Sequence, residues 1–196
     1  MKINTSRLLL TLTTVSLLAQ SVYADNPISG VKKIQGKIES DLIWVEPVTM
    51  EPNGTTGIVA HGPKHNRQPD IHNELDQHEL KGTKMGFGAG GWIPNCQVAC
   101  VIVKGQKTPL ADKNGKKPWF VVFSMMSMVA NDGPHYGRNV ALDGPGIYYE
   151  TCQVNPPDWL GFFRHTDKAS GVSPFFKPYE ISGKFPFTGS GKAGGY

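Results

Sequence analysis

Apolar and polar residues along this chain alternate in short runs, and no segment keeps a 3.6-residue apolar period over four turns. The runs rich in β-branched and aromatic residues are KIQGKIESDLIWVEPV (33–48), CQVACVIV (96–103), PWFVVFSMMSMV (118–129), GIYYETCQV (146–154) and PYEISGKFPF (178–187). Turn chemistry separates them: Asn53-Gly54, the stretches 111–115 and 131–134, DGPG at 143–146 and NPPD at 155–158. Short strands punctuated in this way predict an all-β chain folded as an antiparallel β-sandwich.

The stretch PDIHNELDQHEL, from Pro69 to Leu80, fits that texture and adds chemistry to it. On a strand, Asp70, His72, Glu74, Asp76 and His78 would share one face, with Ile71, Asn73, Leu75, Gln77 and Glu79 on the other. A helix would also make carboxylate and imidazole neighbours, stacking His72 over Asp76 and Glu74 over His78. The β character of the surrounding chain favours a strand or an extended loop.

The first 24 residues change the picture of where the chain works. A basic start at Lys2 and Arg7, an apolar run from Leu8 to Leu18 and small residues at Val22 and Ala24 are the pattern of a secretory signal peptide. The run is too short for a membrane span. The expected division is residues 1–24 as signal peptide, 25–187 as one β-sandwich domain, and 188–196 as a flexible glycine-rich tail. The formal net charge of +4 halves with the loss of Lys2 and Arg7, and no basic run exists. Nucleic acid and anionic membrane surfaces are therefore poor partners, no insertion into a membrane is expected after cleavage, and a small ligand is favoured.

An exported chain meets an oxidising setting, which bears on Cys96, Cys100 and Cys152. On one strand, Cys96 and Cys100 lie roughly 13 Å apart, beyond the ~7 Å that a disulfide spans. A bridge from one of them to Cys152 is the favoured arrangement, with buried free thiols as the alternative.

Candidate ligands accumulate outside the 69–80 stretch. His135 lies in the turn-rich MVANDGPHYG, seven residues after Met128, where a loop at the sandwich edge would offer it as a ligand, and His165 stands in FFRHTD between Arg164 and Asp167. Imidazoles with a thioether and a carboxylate suit a transition metal: nitrogen fits copper, zinc or iron, methionine adds softness, and carboxylate favours ferrous iron or manganese. His61 and His65, in HGPKH, read as an exposed loop, and Met50 is a reserve thioether. No HExxH, CxxC, GxSxG or phosphate-cradling loop is present, and GFGAGG before Trp92 is a glycine-rich turn.

The segments WVEPVTMEP, DIHNELDQHEL, GFGAGGWIP, MVANDGPHYG, RHTDKASGV and FFKPYE, in this order, resemble the bacterial periplasmic iron-transport (Fe2+ transport protein) family over about residues 30–187. The resemblance implies an immunoglobulin-like or cupredoxin-like sandwich that forms homodimers in the periplasm, holds metal near the dimer interface and works beside an inner-membrane iron permease. It implies copper and iron as the metals, with manganese as a mimic. Matched by motif, the ligands are His72, Glu74, Met128, His135 and His165, the residues reached above; Asp76, His78 and Asp132 would support them. Leu75, Gln77, the HGPKHNRQ stretch and the cysteines depart from the family pattern. A periplasmic metal carrier for iron uptake is thus the leading expectation. A copper-dependent enzyme oxidising ferrous iron and a purely structural sandwich are the alternatives.

Overall fold

The computed structural model describes residues 25–51, 59–63 and 68–189. The expected signal peptide, the Asn53-Gly54 turn, His65 and the tail beyond Gly189 lie outside them. Two sheets face each other. One joins β1 (Asn26–Pro27), β2 (Lys32–Ile34), β3 (Ile38–Val45), β4 (Ala60–His61), β5 (Ile71–Glu79), β8 (Met126–Ala130) and β9 (Gly133–Ala141). The other runs β11 (Tyr179–Phe187), β10 (Gly146–Asn155), β6 (Gln97–Lys104) and β7 (Phe120–Ser124). All pairings are antiparallel except the short one between β4 and β9. This is the expected all-β sandwich, and the stretch from Ile71 to Glu79 is a strand.

Alternation places the core. From one sheet Ile38, Leu42, Ile71, Leu75, Tyr136 and Val140 point inward, and from the other Val98, Ile102, Val121, Tyr148, Val154, Ile181 and Phe185, all at most 3% exposed. Burying each large side chain contributes about 1.5–3 kcal/mol. Aromatic rings stitch the layers: Trp44 lies 6.1 Å from Phe185 and 6.0 Å from Phe187, and Phe185 stacks on Tyr148 at 5.6 Å.

The run PWFVVFSMMSMV does not stay in one sheet. It breaks at Met125, whose N–H donates to the Val98 carbonyl, so that β7 completes the four-stranded sheet and β8 crosses to pair with β9. One apolar run thus serves two layers. The stretch around His135 also differs from the sequence reading: after a tight turn the chain runs straight back as β9, and His135 is a strand residue.

Cys100 and Cys152 face each other across β6 and β10 and form a disulfide, while Cys96 is a buried free thiol. Beside the bridge, Glu150 Oε1 lies 3.3 Å from Cys152 Sγ, and Oε2 accepts a hydrogen bond from Asn73 Nδ2 at 2.9 Å. Glu150 is wholly enclosed, and burial pushes its carboxyl up to about 8, against a lowering by Asn73. The acid is therefore neutral in the folded protein at pH 7 and ionised in the unfolded chain. Because its folded pKa lies above the unfolded value near 4.5, the stability it contributes is complete below that value and is lost as pH rises through about 8. Glu150→Gln keeps the acceptor for Asn73 and is expected to flatten this part of the metal-free stability profile; urea titrations at pH 4.5, 6 and 8 would read it. An unchanged slope would contradict the assignment.

Candidate metal centre

The outer face of the seven-stranded sheet is where the ligand candidates meet. Strand β5 runs between β3 and β9, with His72 opposite Val45 and Asn139, and Glu74 opposite Ile43 and Gly137. On β9, His135, Gly137 and Asn139 share that face because Tyr136 between them turns inward. Tyr136 is anchored: its hydroxyl donates to the Ile93 carbonyl at 2.8 Å and accepts from the Cys96 N–H at 2.8 Å, and its ring packs on Trp92 at 5.2 Å. Asn73 does the same for β5 from inside, donating to the Ile43 carbonyl and to Glu150. Met128 on β8 lies directly opposite His135.

These registers bring ligand atoms from His72, Glu74 and His135 within 4.8 Å of one another. His72 Nε2 is 3.5 Å from Glu74 Oε1, and His135 Nε2 is 3.8 Å from the same oxygen. Gly137 forms the floor. A Cβ built there would stand 2.6 Å from His72 Nε2 and 3.0 Å from Met128 Sδ, so the thioether and the imidazole converge over this glycine.

The tautomer of His72 follows from its partner. Asn139 Nδ2 donates to the Val48 carbonyl at 2.7 Å, which fixes the amide so that Oδ1 faces the Val48 N–H and His72 Nδ1, the latter at 2.9 Å. An amide oxygen only accepts, so Nδ1 carries the proton and Nε2 presents a lone pair. That nitrogen is buried and makes no hydrogen bond. Burial, partly opposed by Asn139, lowers the His72 pKa to about 4, with a further lowering by His135. The imidazole is therefore neutral at pH 7.

Glu74 is 14% exposed, and its carboxyl is pushed up to about 8, first by burial and then by Asp76, Asp132 and Asp25. At neutral pH its contact with His72 is thus one between neutral groups, not an ion pair. An uncommitted buried lone pair, a second imidazole, a thioether and an acid waiting to ionise fit a cation of intermediate softness. In front of them opens a cavity of about 380 Å³ whose lining includes Asp25, Asp76, His78, Trp92 and Asp132.

His165 stands elsewhere in the single chain. It is exposed, with Nδ1 2.8 Å from Ser170 Oγ, which in turn donates to Asp167. Asp167 thus reaches the imidazole through Ser170, and Arg164 donates instead to the Val172 carbonyl. His61 ends β4, paired with Ala141 and outside the cluster. The GFGAGG turn has its own anion: Glu79 accepts from the backbone N–H groups of Met85, Phe87 and Gly88 and from Thr83. Asn139 and Gly137 are the site residues that the sequence reading missed; their signal was the two-residue spacing His135, Gly137, Asn139, visible once β9 is taken as a strand.

A family model described as Fe2+ transport protein matches residues 23–189. A UPF0423 protein of Brucella abortus is 36% identical over 182 residues, covering 91% of each chain. Among solved structures, FetP of a uropathogenic E. coli strain, expressed in the periplasm, is 32% identical with a TM-score of 0.66, covering 85% of this chain and 97% of that one. The copper-reconstituted P19 protein of Campylobacter jejuni is 31% identical with a TM-score of 0.67, covering 86% and 99%. The chain belongs to the Fe2+ transport protein family.

Proposed function

We propose that this protein is a periplasmic carrier that binds a divalent or cuprous metal ion at His72, Glu74, Met128 and His135 and serves iron uptake. The observation that carries the reading is the buried, unpartnered Nε2 of His72 beside Glu74, His135 and Met128. A polar nitrogen left without a partner at this depth costs roughly 1–3 kcal/mol, which a bound cation would offset. FetP, a relative made in the periplasm, and the copper-reconstituted P19 protein support both the compartment and copper as a ligand, and the family supports iron as the cargo. No helix of the described residues is long and apolar enough to cross a membrane.

His165 completes the set if two copies associate. It lies on a segment where Trp159, Leu160, Phe162 and Phe163 are 40–83% exposed, an apolar surface that a homodimer would cover. Asp76, His78 and Asp132 line the way to the buried ligands, and the two aspartates would attract a cation. Delivery to an inner-membrane iron permease is the corresponding step in the cell. The mixture of thioether and carboxylate also suits a copper centre oxidising ferrous iron; oxygen consumption by the copper-loaded protein with Fe2+ separates that enzyme from a carrier.

Calorimetry with copper and with Mn2+ as an iron mimic tests the site. His135→Ala is expected to weaken both by more than the ~10–100-fold that loss of a supporting group costs, while His61→Ala leaves them unchanged. Wild-type affinity in His135→Ala would sink the assignment.

Binding should also move a proton. With Glu74 near 8 and His72 near 4, cation uptake at pH 7 is expected to release close to one proton, from Glu74. Affinity should rise with pH by about tenfold per unit and level off above about 8. Titration in two buffers of different ionisation enthalpy counts the proton, and Glu74→Gln should abolish it; a release that persists in Glu74→Gln would place the proton elsewhere.

A further inference from the structure

The loop 105–119 joins β6 to β7 and carries Lys107, Lys113, Lys116 and Lys117, all exposed, against a single acid, Asp112. Its formal charge is +3, whereas the chain without Lys2 and Arg7 has only +2, so everything else from residue 25 onward carries −1. The small net charge that makes anionic surfaces poor partners in the sequence conceals this imbalance.

The loop is ordered by its own hydrogen bonds. Gln106 Nε2 donates to the Thr108 and Leu110 carbonyls at 2.8 and 2.7 Å, and Asp112 Oδ1 accepts from the N–H groups of Asn114 and Lys116 at 2.8 and 2.9 Å. Among the described residues, none of the four lysines makes an ion pair. Lys33 on β2, by contrast, stands opposite Glu39. Lys107 also lies with Tyr149, Thr151, Ser182 and Lys184 around a cavity of about 410 Å³ on the outer face of the four-stranded sheet, where Tyr149 is opposite Lys184 and Thr151 opposite Ser182. Leu110, on the same loop, is 71% exposed. The acids gather at the other sheet: Glu39, Asp41 and Asp76 line one cavity there, and Asp25, Asp76 and Asp132 the mouth of the metal centre.

We propose that this lysine loop docks the protein on an anionic phospholipid surface, its ammonium groups against the headgroup phosphates and Leu110 reaching the acyl boundary. The cavity beside Lys107 and Lys184 offers two cations and three hydroxyls to one headgroup. Opposite charge on the two sheets orients the molecule, since the lipid attracts the loop and repels the acids. The mouth of the metal centre then faces away from the lipid and stays open.

Co-sedimentation with vesicles tests this, comparing phosphatidylglycerol mixed with phosphatidylcholine against phosphatidylcholine alone. Binding is expected only to the anionic vesicles and should weaken steeply between about 0.01 and 0.15 M salt, over which the Debye length falls from roughly 30 to 8 Å. Each lysine near such a surface is worth roughly five-fold in affinity, so Lys113→Gln/Lys116→Gln/Lys117→Gln should lose about 100-fold, while Lys32→Gln/Lys33→Gln/Lys81→Gln, of the same net charge, should stay within about five-fold of wild type. Leu110→Ser should weaken vesicle binding and leave any binding of poly-glutamate unchanged, because only a bilayer takes up the leucine. No binding to the anionic vesicles at the lower salt, a loop variant equal to wild type, or equal losses in the two triple variants would overturn the proposal. So would poly-glutamate bound as tightly as the vesicles with Leu110→Ser silent in both, which would assign the loop to an acidic protein. None of these readouts involves the metal centre, so the metal-binding reading stands or falls separately.

Discussion

The site depends on one constraint, the strict two-residue alternation of β5 and β9, pinned from the inside of the sandwich. Asn73 stands between His72 and Glu74 and is tied to Ile43 and Glu150; Tyr136 stands between His135 and Gly137 and is tied to Ile93 and Cys96. A slip of one residue in either strand would exchange these groups with the ligands, turning an imidazole into the core and that strand's apolar residues, Ile71 and Leu75 or Val140, out of it. The core-facing residues between the ligands therefore hold them in place. The Cys100–Cys152 bridge, against which Glu150 lies, adds a covalent tie within the four-stranded sheet beneath β5.

Electrostatics prepares the same place for a cation. Burial keeps His72 neutral and Glu74 protonated, so the metal-free site carries little charge where charge would be costly. Asp132 and Asp25 are exposed and Asp76 is part-buried, and their field both discourages a bare Glu74 carboxylate and draws a cation inward. Soft and hard donors meet over Gly137. A set of that mixed character would accept soft and hard cations, and by the Irving–Williams order it would favour copper over ferrous iron wherever both are supplied equally.

Much of this was legible in the sequence, because parity is a property of the chain alone. His72 and Glu74 on one face, Asn73, Leu75 and Gln77 on the other, follow from counting by twos. The bridge from Cys100 to Cys152 was foreshadowed by the spacing that kept Cys96 and Cys100 apart. What stayed hidden needed register between distant strands: Asn139 faces His72 only because β9 pairs with β5 sixty-odd residues away. The two glycines and the proline of MVANDGPHYG made a strand look like a turn, and so concealed Gly137 with it. The break at Met125 was hidden for another reason, since both of its halves are apolar and only the sheets they join tell them apart. His165 was reached as a ligand by its motif, and the single chain leaves it at the surface.

The central claim is that one cation is held jointly by imidazole nitrogen and the Met128 sulfur over Gly137. X-ray absorption at the copper edge of the Cu(I)-loaded protein tests it most directly. The expected spectrum shows one sulfur neighbour together with imidazole scattering, the sulfur disappearing in Met128→Ala. A wild-type spectrum of light atoms alone, with no sulfur, would contradict the account.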